Sequence, residues 1–123
     1  MKFLTVLLPL VLLLILGCNI DQIDVENRYG SAYTLLQTQS LPIITTDSIF
    51  VRVGYSGCNG NQTFVLRYRI YSSTAEVWLF KVTPGQPCDA YFEETKSFEL
   101  SNEIRNSAKV ILNGPLDNRF RLK

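Results

Sequence analysis

Strict alternation of apolar and polar residues is the feature that most limits the fold of this 123-residue chain. After residue 45 the apolar side chains recur at every second position, and no long stretch has the 3.6-residue period of an amphipathic helix. In the clearest run Ile49, Val51, Val53 and Tyr55 share one side of the backbone, because successive side chains of a strand point to opposite faces. The sequence therefore predicts an all-β fold.

Further runs of the same kind predict the other strands. They are Phe64 to Tyr71, Glu76 to Val82, Tyr91 to Leu100, Lys109 to Asn113 and Arg119 to Leu122, with Tyr33 to Leu36 as an N-terminal addition. Residues 101–106 are expected to form one helical turn that Ser101 caps. Short strands separated by turn residues indicate an antiparallel β-sandwich, immunoglobulin-like or related, of about 6–7 strands.

The second and third strands are expected to pair as a hairpin around Ser72-Ser73-Thr74. With a three-residue loop, Leu66 lies opposite Phe80 and Tyr68 opposite Trp78, so that large apolar side chains face each other across the ladder. This register places Trp78 and Phe80 in the core of the domain rather than on a surface that binds a ligand.

The charge balance and the lack of histidine exclude several functions. Twelve basic side chains stand against eleven acidic ones, and histidine is absent, so no basic field draws the chain to nucleic acid and the commonest general base and metal ligand are missing. Glu93 and Glu94 are adjacent on a strand, so they point to opposite faces and cannot act as an acid–base pair. We expect no catalytic residue, no metal site and no cofactor. A serine assisted by Lys81, Lys96 or Lys109 is the least favoured alternative.

The N-terminus has the pattern of an export signal. Lys2 precedes fourteen largely apolar residues from Phe3 to Leu16, fewer than the roughly 20 that a membrane-spanning helix needs. The run ends in Ile15-Leu16-Gly17-Cys18, which resembles the lipobox of bacterial lipoproteins. The alternative is a membrane anchor that is retained.

The lipobox resemblance implies how the chain is processed and where it lies. Residues 1–17 would be a lipoprotein signal peptide, and Cys18 would carry diacylglycerol and a further acyl chain such as palmitate. Asn19, in place of a retaining aspartate, favours the outer membrane. The expected location is therefore the bacterial cell envelope, where the N-terminal lipid would attach the chain to the membrane. The polar residues 18–30 are expected to be a tether, and residues 31–123 a single domain.

Cys58 and Cys88 are the two cysteines that remain once Cys18 is acylated. An exported domain lies in an oxidising compartment, where an even pair indicates a disulfide. The alternative is a metal site, but two thiols without histidine lack the usual four ligands.

The contexts of the two cysteines resemble those of small uncharacterised exported lipoproteins of Gram-negative bacteria. The matching segments are Gly57-Cys58-Asn59-Gly60, Pro87-Cys88-Asp89-Ala90 and Phe98-Glu99-Leu100-Ser101, within residues 48–112. Those proteins often carry a histidine directly after the Cys-Asn-Gly segment. This chain has Asn61 there, so no role of that histidine carries over. The resemblance implies an exported lipoprotein and brings no established activity.

Two functions of different classes stay open. The first is a non-catalytic binding or structural module of the envelope, with an envelope protein as a candidate partner. The second is an inhibitor that inserts the cross-linked loop into a protease or lysozyme, since a disulfide lowers the cost of ordering such a loop. Both use loops at one end of the sandwich, and the candidate binding residues are Tyr55, Asn59, Asn61, Asp89 and Tyr91.

Overall fold

Two β-sheets face each other in the computed structural model, which describes residues 28–123. The predicted signal peptide, Cys18 and tether residues 18–27 lie outside the described residues. Within the described range no helix has the length and apolar character needed to cross a membrane. The elements are β1 (Thr34–Leu36), β2 (Ile43–Ile44), β3 (Ser48–Gly57), β4 (Phe64–Tyr71), β5 (Thr74–Lys81), β6 (Ala90–Glu99), α1 (Asn102–Arg105), β7 (Lys109–Asn113) and β8 (Arg119–Arg121).

Strand β3 organises the first sheet. Along one edge it pairs with β6 over ten residue pairs, and along the other it pairs with both β1 and β2. Strands β1 and β2 therefore form one edge that residues 37–42 interrupt. The predicted inner face of β3 is confirmed: Ile49, Val51, Val53 and Tyr55 are at most 2% exposed.

The second sheet has the order β4-β5-β7-β8. The all-β prediction is confirmed, with eight strands among residues 28–123, but one strand pair differs from the antiparallel expectation because β5 and β7 run parallel. Between them the chain passes through β6 in the first sheet and returns through α1, which allows a parallel entry. The predicted helical turn is confirmed: the Ser101 hydroxyl accepts a hydrogen bond from the Ile104 N–H, and Ile104 is buried.

The predicted register of the β4–β5 hairpin is wrong by one residue. Its loop has two residues, Ser72 and Ser73, and Tyr71 pairs with Thr74. Both serines have positive φ, 50° and 64°, as in the two-residue turns whose twist matches that of the flanking strands. The pairing of large apolar side chains favours a three-residue loop, but the geometry of the turn sets the register.

The corrected register exchanges the two faces of β5. Val77 and Leu79 are fully buried between the sheets, while Trp78 and Phe80, which were predicted in the core, lie on the outer face and are half-buried. The Arg67 guanidinium lies 3.8 Å from the centroid of the Phe80 ring. An arginine stacked in this way shields an outward-facing aromatic ring from water.

The hydrophobic core that the described residues form lies between the two sheets. Its buried members run from Tyr33 to Leu112, and the half-buried side chains packed on them run from Tyr29 to Leu122. Tyr29 and Gly30, which were assigned to the tether, already contact the domain. A segment that contains a whole core satisfies the main requirement for folding alone.

Candidate functional site

Cys58 and Cys88 form the predicted disulfide. Cys58 directly follows β3 and Cys88 lies just before β6, so the bridge extends the β3–β6 pairing beyond its last residue pair, Gly57 and Ala90. Residues 58–63 and 82–89 carry the chain from one sheet to the other. The disulfide therefore joins two crossover loops at one end of the sandwich.

Two glutamines hold the same loops together. The Gln86 Oε1 accepts hydrogen bonds from the backbone N–H of Cys58 at 2.6 Å and of Asn59 at 3.2 Å, and from Gln62 Nε2 at 3.1 Å. Gln62 is 4% exposed and also donates to the Asn59 carbonyl at 2.9 Å. Sequence analysis missed both, because a glutamine in a loop carries no pattern that distinguishes it from a solvated one.

Glu93 and Glu94 point to opposite faces, as predicted. Glu93 is exposed on the outer face, 3.6 Å from Arg52, and Glu94 faces inward, with Lys96 Nζ 3.2 Å from its Oε2. Burial alone would raise the pKa of the Glu94 carboxyl. Hydrogen bonds from the Tyr55 hydroxyl and the Asn61 N–H, together with Lys96, instead hold that pKa below its usual value. Glu94 is thus a charged anchor for the loop that contains Asn61.

A cavity of about 750 Å³, here called the cleft, lies beside the two loops. It is bounded by residues 29–34, by β3 at residues 54–56 and by the loops at 85–86 and 115–116. Four tyrosines contribute to its walls: Tyr29, Tyr33, Tyr55 and Tyr91. Tyr33 and Tyr55 are at most 5% exposed, whereas Tyr91 is 56% exposed at the rim.

The cleft exists because the N-terminal segment changes sheets. Strand β1 pairs with β3 only as far as Gly54, opposite Thr34. Before that point the chain lies against the second sheet, where Gly30 bridges Lys81 and the Ser31 N–H donates to the Lys81 carbonyl at 3.3 Å. Gly30 has a φ of 74°, and a side chain there would collide with that carbonyl.

The tyrosine walls are held in fixed positions. The Tyr33 hydroxyl donates to the Leu79 carbonyl at 2.5 Å, and burial raises the pKa of Tyr33. The Tyr33 ring meets Phe64 edge-on at a centroid distance of 5.2 Å. The Tyr55 hydroxyl accepts a hydrogen bond from the Gln62 N–H at 3.2 Å. A ligand would therefore meet a preformed aromatic surface.

Lys81 is buried beside the cleft. It is 2% exposed, its Nζ lies 4.6 Å from the centroid of the Tyr55 ring, and it donates to the Ala32 carbonyl at 3.4 Å. Among residues 28–123 no carboxylate lies within ion-pair distance of it. Burial lowers the pKa of Lys81. The register correction that turns Phe80 outward turns Lys81 inward, which is why sequence analysis did not place it here.

The five predicted binding residues separate into two groups. Tyr55 and Tyr91 line the cleft, although Tyr55 is only 2% exposed. Asn59, Asn61 and Asp89 are exposed on or beside the disulfide-linked loops and do not line the cleft. The structure therefore presents an aromatic cavity and, next to it, a polar, cross-linked surface.

The described residues 28–123 contain no group of three or more histidine, cysteine, aspartate or glutamate side chains that could hold a metal ion. The walls of the cleft are mainly tyrosine rings and small residues, which can contact an apolar group. No protein-family model, curated protein or solved structure matches this chain.

Proposed function

We propose that this chain is a lipid-anchored lipoprotein of the bacterial cell envelope whose domain is a non-catalytic binding module. The lipobox resemblance at Cys18 supports the anchor, and the Cys58–Cys88 bridge is typical of an oxidising compartment. The cleft carries the binding role. Its volume of about 750 Å³ falls within the roughly 300–1,000 Å³ of ligand pockets, which are mainly apolar and aromatic.

The chemistry of the cleft favours an amphiphile with one anionic group. Tyrosine rings provide apolar contact area at a low cost in conformational entropy. The Lys81 ammonium, without a carboxylate partner within residues 28–123, adds a positive potential at the inner wall. In a poorly solvated site such a charge acts over several ångströms. An apolar body would lie against the rings, with its anion directed toward Lys81.

Paired fluorescent probes test this function on residues 19–123. The anionic probe is 8-anilinonaphthalene-1-sulfonate, and the neutral one is N-phenyl-1-naphthylamine. We expect Tyr91→Ala to weaken both about fivefold, because one aromatic contact is lost, and Lys81→Met to weaken the anionic probe alone. The matched control, Tyr71→Ala, alters another exposed tyrosine, outside the cleft, and should change neither. Equal effects of the two tyrosine variants, or no saturable binding, would overturn the proposal.

The second candidate function is inhibition of a protease or lysozyme by the disulfide-linked loops. It is favoured by one observation: the exposed Asn59, Asn61 and Asp89 lie on or beside loops that the bridge and Gln86 fix in place, so that insertion orders little further chain. Inhibition assays against lysozyme and representative proteases test it. The loss of inhibition on reduction of the bridge would support it, and no inhibition by the oxidised protein would exclude it.

A further inference from the structure

Six of the eleven basic side chains in residues 28–123 lie together on the outer face of the second sheet. Arg67 and Arg69 lie two residues apart on β4, opposite Trp78 and Glu76 of β5, and Arg119 and Arg121 flank the inward-facing Phe120 on β8. The set, here called the arginine face, consists of Arg28, Arg67, Arg69, Lys109, Arg119 and Arg121.

The positive charge of the arginine face is not balanced locally. Glu76 is the acidic residue on the strands of this sheet, and it is 7% exposed and already paired with Arg69 at 2.5 Å and Arg28 at 4.0 Å. Asp117 lies in the loop before β8. The other six acidic residues of the described range belong to β6, α1 and the loops before β3 and β6. Residues 28–123 carry eleven basic and eight acidic side chains, and this positive excess lies on the arginine face, because the described residues other than this face, Glu76 and Asp117 carry five basic side chains against six acidic ones.

Aromatic rings hold several of these charges in place. The Arg67 guanidinium lies 3.8 Å from the Phe80 centroid, and that of Arg28 lies 4.9 Å from the Trp78 centroid. Stacking uses the flat face of the guanidinium and leaves its N–H edge available to an anion. Tryptophan and arginine, which combine an apolar body with a polar end, are suited to the boundary between lipid and water.

We infer that the arginine face docks on a bilayer surface that carries anionic phospholipid head groups. Charge complementarity is the first argument. The second is position: Arg28 is a member of the face, and nine residues separate it from Cys18, a reach of about 30 Å for extended chain. An anchor at Cys18 would therefore hold this face near the head groups. The inference concerns a different surface from the cleft, so it stands independently of ligand binding there.

Vesicle sedimentation tests the inference on residues 19–123, which contain the core described above and lack Cys18. Binding should be strong to vesicles of phosphatidylcholine and phosphatidylglycerol in equal amounts and should weaken as salt is added. The variant Arg119→Gln/Arg121→Gln removes two exposed charges of the face. Each basic residue near such a surface contributes a factor of about five, so we expect a loss of roughly 25-fold.

The matched control is Arg52→Gln/Arg105→Gln, which removes the same charge from β3 of the first sheet and from α1, outside the arginine face. It should bind anionic vesicles nearly as well as the unaltered chain. Equal losses in the two double variants, or equal binding to pure phosphatidylcholine, would overturn the inference. Tighter binding to a single-stranded oligonucleotide than to the anionic vesicles would also overturn it, since the face would then select a polyanion.

Discussion

Removal of the disulfide is the perturbation whose magnitude the structure determines most directly. Cys58 and Cys88 are separated by 30 positions, so the bridge closes a loop of 31 residues in the unfolded chain. The chain-entropy relation then gives a loss of about 3.7 kcal/mol in the free energy of unfolding for Cys58→Ala/Cys88→Ala. The folded loops retain their other contacts, because Gln86 accepts hydrogen bonds from Cys58, Asn59 and Gln62. The loss should therefore arise mainly in the unfolded state.

Urea unfolding of residues 19–123 measures this loss. Trp78 is the only tryptophan, and it is half-buried with the Arg28 guanidinium over its ring, so its fluorescence should report unfolding. With an m-value of about 1.2 kcal/mol/M, the midpoint should fall by about 3 M. The unaltered chain reduced with dithiothreitol is the control and should show the same midpoint as the double variant.

A loss below about 1 kcal/mol would refute the entropic reasoning. It would mean that residues 58–88, which contain the whole β4–β5 hairpin, are already compact in the unfolded chain. Closing the loop would then remove little conformational freedom. A double variant that fails to fold, while the reduced chain folds, would instead assign the effect to the alanine side chains.

Three other changes test separate parts of the structure. Lys81→Met should stabilise the domain near neutral pH. Burial lowers the pKa of Lys81 below 10.5, so burying its charged ammonium reduces the free energy of unfolding. This reduction is fully present below the folded-state pKa and disappears as the pH rises toward 10.5. Denaturation midpoints of the two proteins should therefore converge in alkali, and parallel curves would contradict the account. The hydrogen bond from Arg69 lowers the pKa of Glu76 below 4.5. The stability that the charged Glu76 contributes is therefore present above pH 4.5 and is lost as the pH falls through the folded-state pKa. Glu76→Gln should cost roughly 1 kcal/mol at neutral pH and much less in acid, as thermal melts would show; a cost independent of pH would count against the ion pair. Gly30→Ala should lower the free energy of unfolding by more than about 2 kcal/mol, because Gly30 has a positive φ and a side chain there would collide with the Lys81 carbonyl. Gly85 has open space around it, so Gly85→Ala should be nearly neutral. Similar urea midpoints for the two glycine variants would contradict the close contact between Gly30 and Lys81.

The alternation of the sequence predicts those strands whose two faces differ most in environment. The inner residues of β3 are correct because four large apolar side chains at every second position leave one orientation that buries them. The predicted disulfide is also confirmed, because an even pair of cysteines leaves one pairing, and it joins the neighbouring ends of β3 and β6.

The hairpin register shows why part of the fold could not be predicted. Two serines in positive-φ conformations have no signal comparable to Asn-Gly, and β5 is apolar on both faces. A register shifted by one residue is therefore compatible with the apolar pattern of β5, although it turns Phe80 inward and Lys81 outward. The cleft could not be predicted from the sequence either. It depends on the contact of Gly30 with Lys81 of the second sheet, and the two residues are far apart in the sequence.

The transfer of the N-terminal segment from one sheet to the other also sets how the domain would bear tension. A pull on the chain before Arg28 is resisted first by the contacts of Arg28 with Trp78 and Glu76. It is resisted next where Gly30 and Ser31 meet Lys81 at the end of β5, and only then by the short edge strand β1. The force thus acts where the N-terminal segment passes from the second sheet to the first, next to the disulfide-linked end. Tension on the chain before Arg28 would therefore act on one wall of the cleft, formed by residues 29–34, before it acts on β1.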